Sequence, residues 1–346
     1  MSAVVVTGGA GYVGSHAVKA LAAAGYDVSV FDDLSAGHAE AVDRIARGFP
    51  ARKISLLRGD ILDAGALRRA LQGSGASAVM HFAARLLVGE SVREPIGYYR
   101  ANVTGTMTVL EAMAEAGIDR FVFSSTAATF GEPRTSPITE DHPQRPVNAY
   151  GETKLAIERA LPHVERATGI RWAVLRYFNA AGADPDGWLG EHHDPEEHLI
   201  PLALAAVAGG TPLTVFGDDY PTPDGTCIRD YVHVTDLASA HLDALRALEA
   251  GAPSAAYNLG NGAGSSVREV LRTIARVTGH EVPHQIGARR AGDPSSLVAS
   301  SDRARAALGW TPRFDRLDTI VETAWKWHSR HPDGYRTATS SSTWQD

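Results

Sequence analysis

The chain has 346 residues, 33 Lys+Arg against 40 Asp+Glu, one cysteine and 44% hydrophobic residues. That length suits one large or two modest domains, and the apolar content is too high for a disordered segment. The single cysteine, Cys227, excludes an internal disulfide framework, and a net charge of −7 makes a poor general nucleic-acid binder. The expectation is a cytoplasmic protein of enzyme size that engages neither membrane nor nucleic acid.

The N-terminus carries no basic stretch before its valines and meets Thr7-Gly8-Gly9 at once, so it reads as a buried first strand, not a signal sequence. Short β-branched runs predict further strands, giving 3–7, 27–32, 54–58, 78–82, 120–124 and 172–176 in all. Helical patterns lie between them at 12–24, 64–71, 102–116 and 150–168. This alternation predicts an α/β fold, a Rossmann-like doubly wound parallel sheet built from right-handed crossovers. After Asn179 the texture changes, as Gly, Pro, Asp and His crowd into 183–198, 217–225 and 287–296. We therefore expect a first domain over 1–180 and a smaller C-terminal α/β substrate-binding domain over 181–336. Segments can cross that soft boundary, and the Ser/Thr-rich tail 337–346 is expected to fray. The longest uncharged run, 199–217, is broken by Pro201, Gly209, Gly210 and Pro212 and predicts a helix, a turn and a short strand, not a membrane span.

Gly8-Gly9-Ala10-Gly11-Tyr12-Val13-Gly14 follows the first strand and opens the first helix. Gly8 permits a tight turn, Gly11 lets backbone approach a pyrophosphate, and Gly14 lets helix and sheet pack closely, while the helix N-terminus offers free N–H groups. Asp32 ends the second strand 18 residues past Gly14, the place for a carboxylate on an adenosine ribose. A carboxylate there disfavours a 2′-phosphate, so NAD is expected over NADP. The competing reading, a plain turn plus a solvated Asp32-Asp33 pair, leaves the strand–turn–helix context unexplained. Asp60 follows the third strand within Gly59-Asp60-Ile61 and suits either an adenine amino group or a loop cap. Phe82-Ala83-Ala84 offers small residues beside a flat cofactor.

Tyr150 and Lys154 stand four residues apart, which places them on one face of a helix. A free phenol ionises near pH ~10. Lysine and nicotinamide cations nearby are expected to favour the phenolate, which could then take a proton from a sugar hydroxyl. Ser124-Ser125-Thr126 ends the fifth strand 24 residues upstream, where strand ends converge on the cleft, so a hydroxyl there can bridge tyrosine and substrate.

Together these motifs resemble the extended short-chain dehydrogenase/reductase superfamily and, within it, the UDP-glucose (UDP-galactose) 4-epimerase family. The resemblance runs from about Ala3 to Tyr335. Its most specific segments are 7–16, Val88-Gly89-Glu90-Ser91, Arg176-Tyr177-Phe178-Asn179, and 216–226 with its continuation through Arg229-Asp230-Tyr231. It implies NAD-dependent 4-epimerisation of a UDP-hexose, with Tyr150 as acid/base, Lys154 as its electrostatic partner and Thr126 as the catalytic hydroxyl. The implied cofactor contacts extend to Tyr12, Val13, Asp33, Leu34, Ser35 and Gly37, and to Asn102, Ser124 and Tyr177. On the substrate side, Asn179 would meet the diphosphate beside Phe178, and Leu199 and Phe216 would flank the uracil near His198, Thr214 and Val215. Arg229 and Arg290 would hold the diphosphate, Asp293 the uridine ribose, with Tyr231 and Val267 close by. Leu297 stands where the family limits sugar size.

The chain departs from the family pattern where many members carry a lysine after the fourth strand: here the loop reads Arg85-Leu86-Leu87. Thr126 is followed by Ala127-Ala128, so the acidic group that sibling dehydratases need is missing. UDP-pentose and UDP-N-acetylhexosamine epimerases stay open as alternatives, and an NAD-binding sensor without turnover is the rival from another class. The resemblance also implies a homodimer through helices at 102–116 and 150–168. The run Glu191-His192-His193-Asp194-Pro195-Glu196-Glu197-His198 has metal-ligating residue types. It contains Pro195, precedes an apolar helix and matches a substrate loop of the family, so it is read as a substrate loop with no metal. Cys227 is expected inside a strand over 226–229, as a small packed side chain.

Overall fold

Val4, Val5 and Val6 are fully buried, yet Val4 and Val6 join one hydrophobic core and Val5 another. Alternating side chains of one strand thus face two helix layers, as a doubly covered parallel sheet requires. The computed structural model describes residues 2–290 and 293–335, so the tail 337–346 lies outside the described residues. The first half runs β1 (Ala3–Thr7), α1 (Tyr12–Ala23), β2 (Asp27–Asp32), α2 (Ala39–Gly48), β3 (Ile54–Arg58), α3 (Ala64–Ser74) and β4 (Ala76–His81). It continues through α4 (Val88–Arg93), α5 (Pro95–Tyr98), α6 (Gly105–Ala116), β5 (Arg120–Thr126), α7 (Ala149–Thr168) and β6 (Arg171–Tyr177). The second half holds β7 (Asn179–Ala181), α8 (Leu199–Val207), β8 (Leu213–Phe216), β9 (Ile228–Arg229), β10 (Tyr231–His233), α9 (Val234–Glu249) and β11 (Ala255–Leu259). The remaining elements are β12 (Ser265–Ser266), α10 (Val267–Thr278), β13 (His284–Gly287), β14 (Ser296–Leu297), α11 (Asp302–Leu308) and α12 (Leu317–Arg330).

Seven parallel strands form the main sheet in the order β3-β2-β1-β4-β5-β6-β11. The order reverses between β1 and β4, which opens a crevice at the C-terminal strand ends. The Rossmann-like sheet expected from the sequence is therefore present, with one strand more than the runs before Asn179 supply. β11 pairs with β6 from Ala255 opposite Ala173 to Leu259 opposite Tyr177, and α9 packs against α1 over the same face. This return covers a β6 edge that would otherwise expose unpaired backbone groups. The predicted helix at 102–116 is also corrected: α6 starts at Gly105, and a π-helical turn, Tyr99–Thr104, precedes it. Beyond the sheet, α8, α10 and α12 share a separate core that includes Ile200, Leu204, Val270, Ile274 and Val321. Small sheets β10-β7, β12-β9-β14 and β13-β8 surround it. Cys227 stands one residue before β9, not within a strand, and packs on the margin of this core.

Behind the crevice, α7 is locked to β6 by a buried ion pair. Arg176 Nη2 and Nε donate to Glu158 Oε2 at 2.7 and 3.0 Å, and Gln144 Nε2 donates to the same oxygen at 2.9 Å. Removing one partner strands a buried charge, at a cost of about 3–5 kcal/mol. Arg176→Met is expected to lower Tm by on the order of 10 °C, read by calorimetry. The apolar pair Arg176→Met with Glu158→Leu should recover most of that loss.

Candidate active site

Two cavities open side by side at the C-terminal strand ends, one of about 590 Å³ and one of about 310 Å³. They share Leu86, Val88, Asn179, Ala180, Glu191 and His198, so they are two halves of one cleft.

The glycine loop lines the larger half with Gly8, Gly11, Tyr12, Val13 and Gly14. Gly8 has φ +71°, and a Cβ there would sit 2.4 Å from the Ala83 nitrogen. A Cβ on Gly14 would lie 2.1 Å from the Gly8 oxygen, so α1 can start this close to the loop only with glycine at that position. No side chain caps α1, which leaves its first N–H groups facing the cavity. Asp32 is 7% exposed and accepts from the backbone N–H of Ala10 (3.0 Å) and Leu34 (2.9 Å), so its carboxylate is fixed at the rim. Burial pushes its pKa up, and those two N–H bonds pull the other way. Asp33, Ser35 and Gly37 continue the wall, with Asp33 Oδ1 accepting from Ser35 N and Oγ. Leu34 is left-handed at φ +62° and is not itself on the wall. Asp60 and Ile61 close the far end, and Phe82, Ala83 and Ala84 form the flat side. Asp60 Oδ1 also accepts from Leu62 N at 2.8 Å, the loop cap that its residue type equally suited.

Asn148 caps α7 by accepting from Gly151 N (2.9 Å), and this aims Tyr150 into the same cavity beside Thr126, Tyr177 and Phe178. The Tyr150 phenol is pushed up, chiefly by burial and then by Tyr177, while the Thr126 hydroxyl pulls it down. Lys154 is 3% exposed and donates from Nζ to the Ser124 carbonyl at 3.0 Å, with Nζ 4.9 Å from the Phe123 ring centroid. Burial drives it down to about 7, against an upward pull from Glu158. Without a cofactor, desolvation is the largest influence on both groups and favours their neutral forms. Ser124 is spent structurally, its Oγ 2.6 Å from the Tyr177 hydroxyl.

The smaller half is lined by Leu199, Thr214, Val215 and Phe216 and by Arg229, Tyr231, Val267, Arg290 and Asp293. The Arg290 guanidinium lies 4.1 Å over the Phe216 ring, and Arg229 pairs with Asp293. Burial pushes the Cys227 thiol up, which suits packing better than nucleophilic chemistry.

Three further sequence-predicted residues stand off the cleft wall. Asn102 is 1% exposed and spends its amide on Arg85 N, Arg85 O and Thr153 Oγ1, so it shapes the loop after β4 from beneath. Leu297 packs with Phe178 in a satellite cluster beside Ile138. Lys154 lies beneath the surface that Tyr150 presents. Sequence reasoning put Glu191 and His193 in a substrate loop without giving either a role of its own, and the fold carries both into the cavity wall. Sequence reasoning did not anticipate the fate of the Arg85 charge. Arg85 Nη2 donates to Glu90 (2.5 Å) and Glu94 (2.9 Å), and its guanidinium lies 4.9 Å over Tyr98, so the loop's cation is neutralised locally.

An uncapped helix start behind close-packed glycines, a fixed carboxylate at the second strand end and a cavity-lining Tyr150 backed by the buried Lys154 define a dinucleotide-binding enzyme of the α/β class, and the residues present fit such a cofactor. A family model described as the NAD dependent epimerase/dehydratase family matches residues 4–260, and the chain belongs to that family. It is 50% identical over 333 residues to a UDP-glucose 4-epimerase of Lacticaseibacillus casei, covering 96% of this chain and 98% of that one. The solved UDP-glucose 4-epimerase of Brucella ovis in complex with NAD is similar, with TM-score 0.89, 48% identity and coverage of 94% of this chain and 98% of the other. So is that of Bifidobacterium longum in complex with NAD⁺ and UDP, with TM-score 0.91, 34% identity and coverage of 96% and 100%.

Proposed function

We propose that this protein inverts C4 of a UDP-hexose, interconverting UDP-galactose and UDP-glucose with NAD as its resident cofactor. The observation that carries this reading is the shared wall of the cleft. It joins a dinucleotide half holding Tyr150 and Thr126 to a half with two arginines, Arg229 and Arg290. Two guanidiniums suit a diphosphate through charge-assisted bonds. Residues 1–180 would supply most of the dinucleotide half and 181–336 most of the sugar-nucleotide half.

Bound NAD supplies a reversible hydride acceptor and a positive charge near the phenol. The chain's own residues do the rest. Tyr150 removes the proton from the C4 oxygen and returns it, with Thr126 bridging phenol and sugar. Lys154 holds the strand end under Tyr150 and supplies a proton-binding group below it. Arg229 and Arg290 anchor the UDP, so the hexose can turn within the cleft and present its other face. Purified protein given UDP-galactose without added NAD should form UDP-glucose, followed by NMR; absence of product would sink the proposal. Asp32→Ala is expected to weaken cofactor retention about 10–100-fold, since it removes a charge-assisted hydrogen bond. Cofactor remaining after gel filtration measures it.

The same reading makes the protein a cytoplasmic homodimer. Val92, Ile96 and Tyr99 are 66%, 79% and 44% exposed just before α6, an apolar surface suited to a second copy. Sedimentation velocity tests the stoichiometry. No helix among the described residues is long and apolar enough to cross a membrane.

A further inference from the structure

Glu191 and His193 lie in the cleft wall, yet proton transfer and UDP anchoring use neither. Glu191, His193, Glu196 and His198 each present one potential ligand atom, and those four atoms all lie within 4.8 Å of one another. His193 Nδ1 is 3.6 Å from Glu191 Oε1 and 3.4 Å from Glu196 Oε2. His198 Nδ1 is 2.9 Å from Glu191 Oε1 and 3.0 Å from Glu196 Oε1. A tetrahedral ion with ligands at ~2.0–2.2 Å separates its donors by roughly 3.3–3.6 Å, so the cluster is already near that spacing.

A second observation points the same way. Glu191 Oε1 and His193 Nδ1 are buried without a hydrogen-bond partner, although the Glu191 side chain is only 4% exposed. Glu191 Oε1 lies 2.9 Å from His198 Nδ1, an approach that serves as an ion pair when that imidazole is protonated. Unmatched buried polar atoms are costly, and a cation between them would satisfy both at once. Bound through their lone pairs, two carboxylates and two imidazoles would leave a local charge that a divalent ion balances. Mixed imidazole and carboxylate donors in a four-ligand shell favour zinc over magnesium or calcium, which prefer oxygen shells of six or more.

We propose that Glu191, His193, Glu196 and His198 bind a single zinc ion that ties the two halves of the cleft together. This departs from the metal-free reading of the loop. Pro195 does not separate the ligands, because the turn through it brings residues 193 and 196 together. The placement gives the ion a positioning role. Glu191 and His198 line both cavities, and His198 directly precedes α8, which delivers Leu199 to the smaller one. The His193 ring meets Tyr12 of the glycine loop edge-on, 6.2 Å between centroids. The ion would therefore brace α8 against the start of α1.

The test uses the holoprotein, made without a histidine tag, loaded with zinc chloride and then dialysed. Elemental analysis should find about one zinc per chain, and cobalt substitution should give the visible bands of a tetrahedral ion. His193→Ala and the nearly isosteric Glu196→Gln should each weaken zinc affinity at least about tenfold. A chelator should lower the Tm of the native chain and leave that of His193→Ala unmoved. No retained zinc, equal zinc in both variants, or a chelator-insensitive native Tm would show an ion-pair cluster only and overturn the proposal. None of these readouts depends on which sugar, if any, the enzyme turns over.

Discussion

Tyr150→Phe is expected to lower kcat by about 10²–10⁴-fold while the chain keeps its cofactor. The substitution removes one oxygen and leaves the ring in a buried slot whose walls are set by β5, α7 and Tyr177. What disappears is the phenol hydrogen that the proposal passes between Tyr150, the Thr126 hydroxyl and the sugar. Burial holds the phenol proton tightly, so the wild-type residue already sits far from its reactive form. Catalysis must draw the proton off with nearby charge, and a phenyl ring gives that charge nothing to act on. KM for UDP-galactose should move only a few-fold, because the proposed nucleotide anchors, Arg229 and Arg290, line the other half of the cleft. A steady-state assay coupled to UDP-glucose oxidation gives both constants, and the cofactor absorbance of the purified variant reports occupancy. An unchanged kcat would move the proton transfer to another group.

Residues whose task is local were legible in the sequence. The glycine loop, Asp32 and the Tyr150–Lys154 spacing are each set by a few consecutive positions, because a turn, a strand end and one helical repeat depend on immediate neighbours. What the sequence hid was set by distant contacts. β11 reads as an ordinary short run, and only its pairing with β6, some eighty positions earlier, makes it part of the main sheet. Arg85-Leu86-Leu87 in place of the family's lysine loop left its cation shifted or lost, and Glu90, Glu94 and Tyr98 from the segment that follows claim the Arg85 charge. Asn102 carried a family role at the cofactor, while a π-helical turn points its amide at the backbone of the preceding loop. The histidine run shows the opposite limit. Its residue types suggested ligands and its proline argued against them, and only the folded loop decides how near the four donors come.

The acidic balance of the chain is equally uninformative about its ligands. A net charge of −7 does not prevent a cleft from receiving two diphosphates when the positive potential is placed locally. Here it comes from helix amides at α1 and from Arg229 and Arg290. Arg229 carries its own counter-ion in Asp293, so a substrate ribose that engages Asp293 would also adjust the guanidinium beside it. Anchoring and orientation of the nucleotide are then one coupled event.

Lys154→Met is expected to separate activity from stability. Replacing the lysine should cut kcat by about 10²-fold or more, as the group that feeds charge to Tyr150 is lost. The same change should stabilise the cofactor-free fold at neutral and acid pH. Burial holds the Lys154 pKa down at about 7, whereas the unfolded chain titrates near ~10.4. The unfolded state therefore binds more protons between those values, and stability of the native chain must rise with pH across that window. Below pH ~7 the full penalty applies, on the order of 4 kcal/mol before relaxation, and methionine does not incur it. Part of the gain is offset because the Ser124 carbonyl loses its donor, at about 1 kcal/mol. His81 beneath the site cannot take over the charge, since burial and then Lys154 hold it down to about 3. Melting curves of cofactor-stripped native and Lys154→Met proteins from about pH 6 to 9 should differ most at the acid end and converge toward alkaline pH. A difference that stays constant across this range would mean that Lys154 stays charged in the fold, and would remove it as a proton-binding partner of Tyr150.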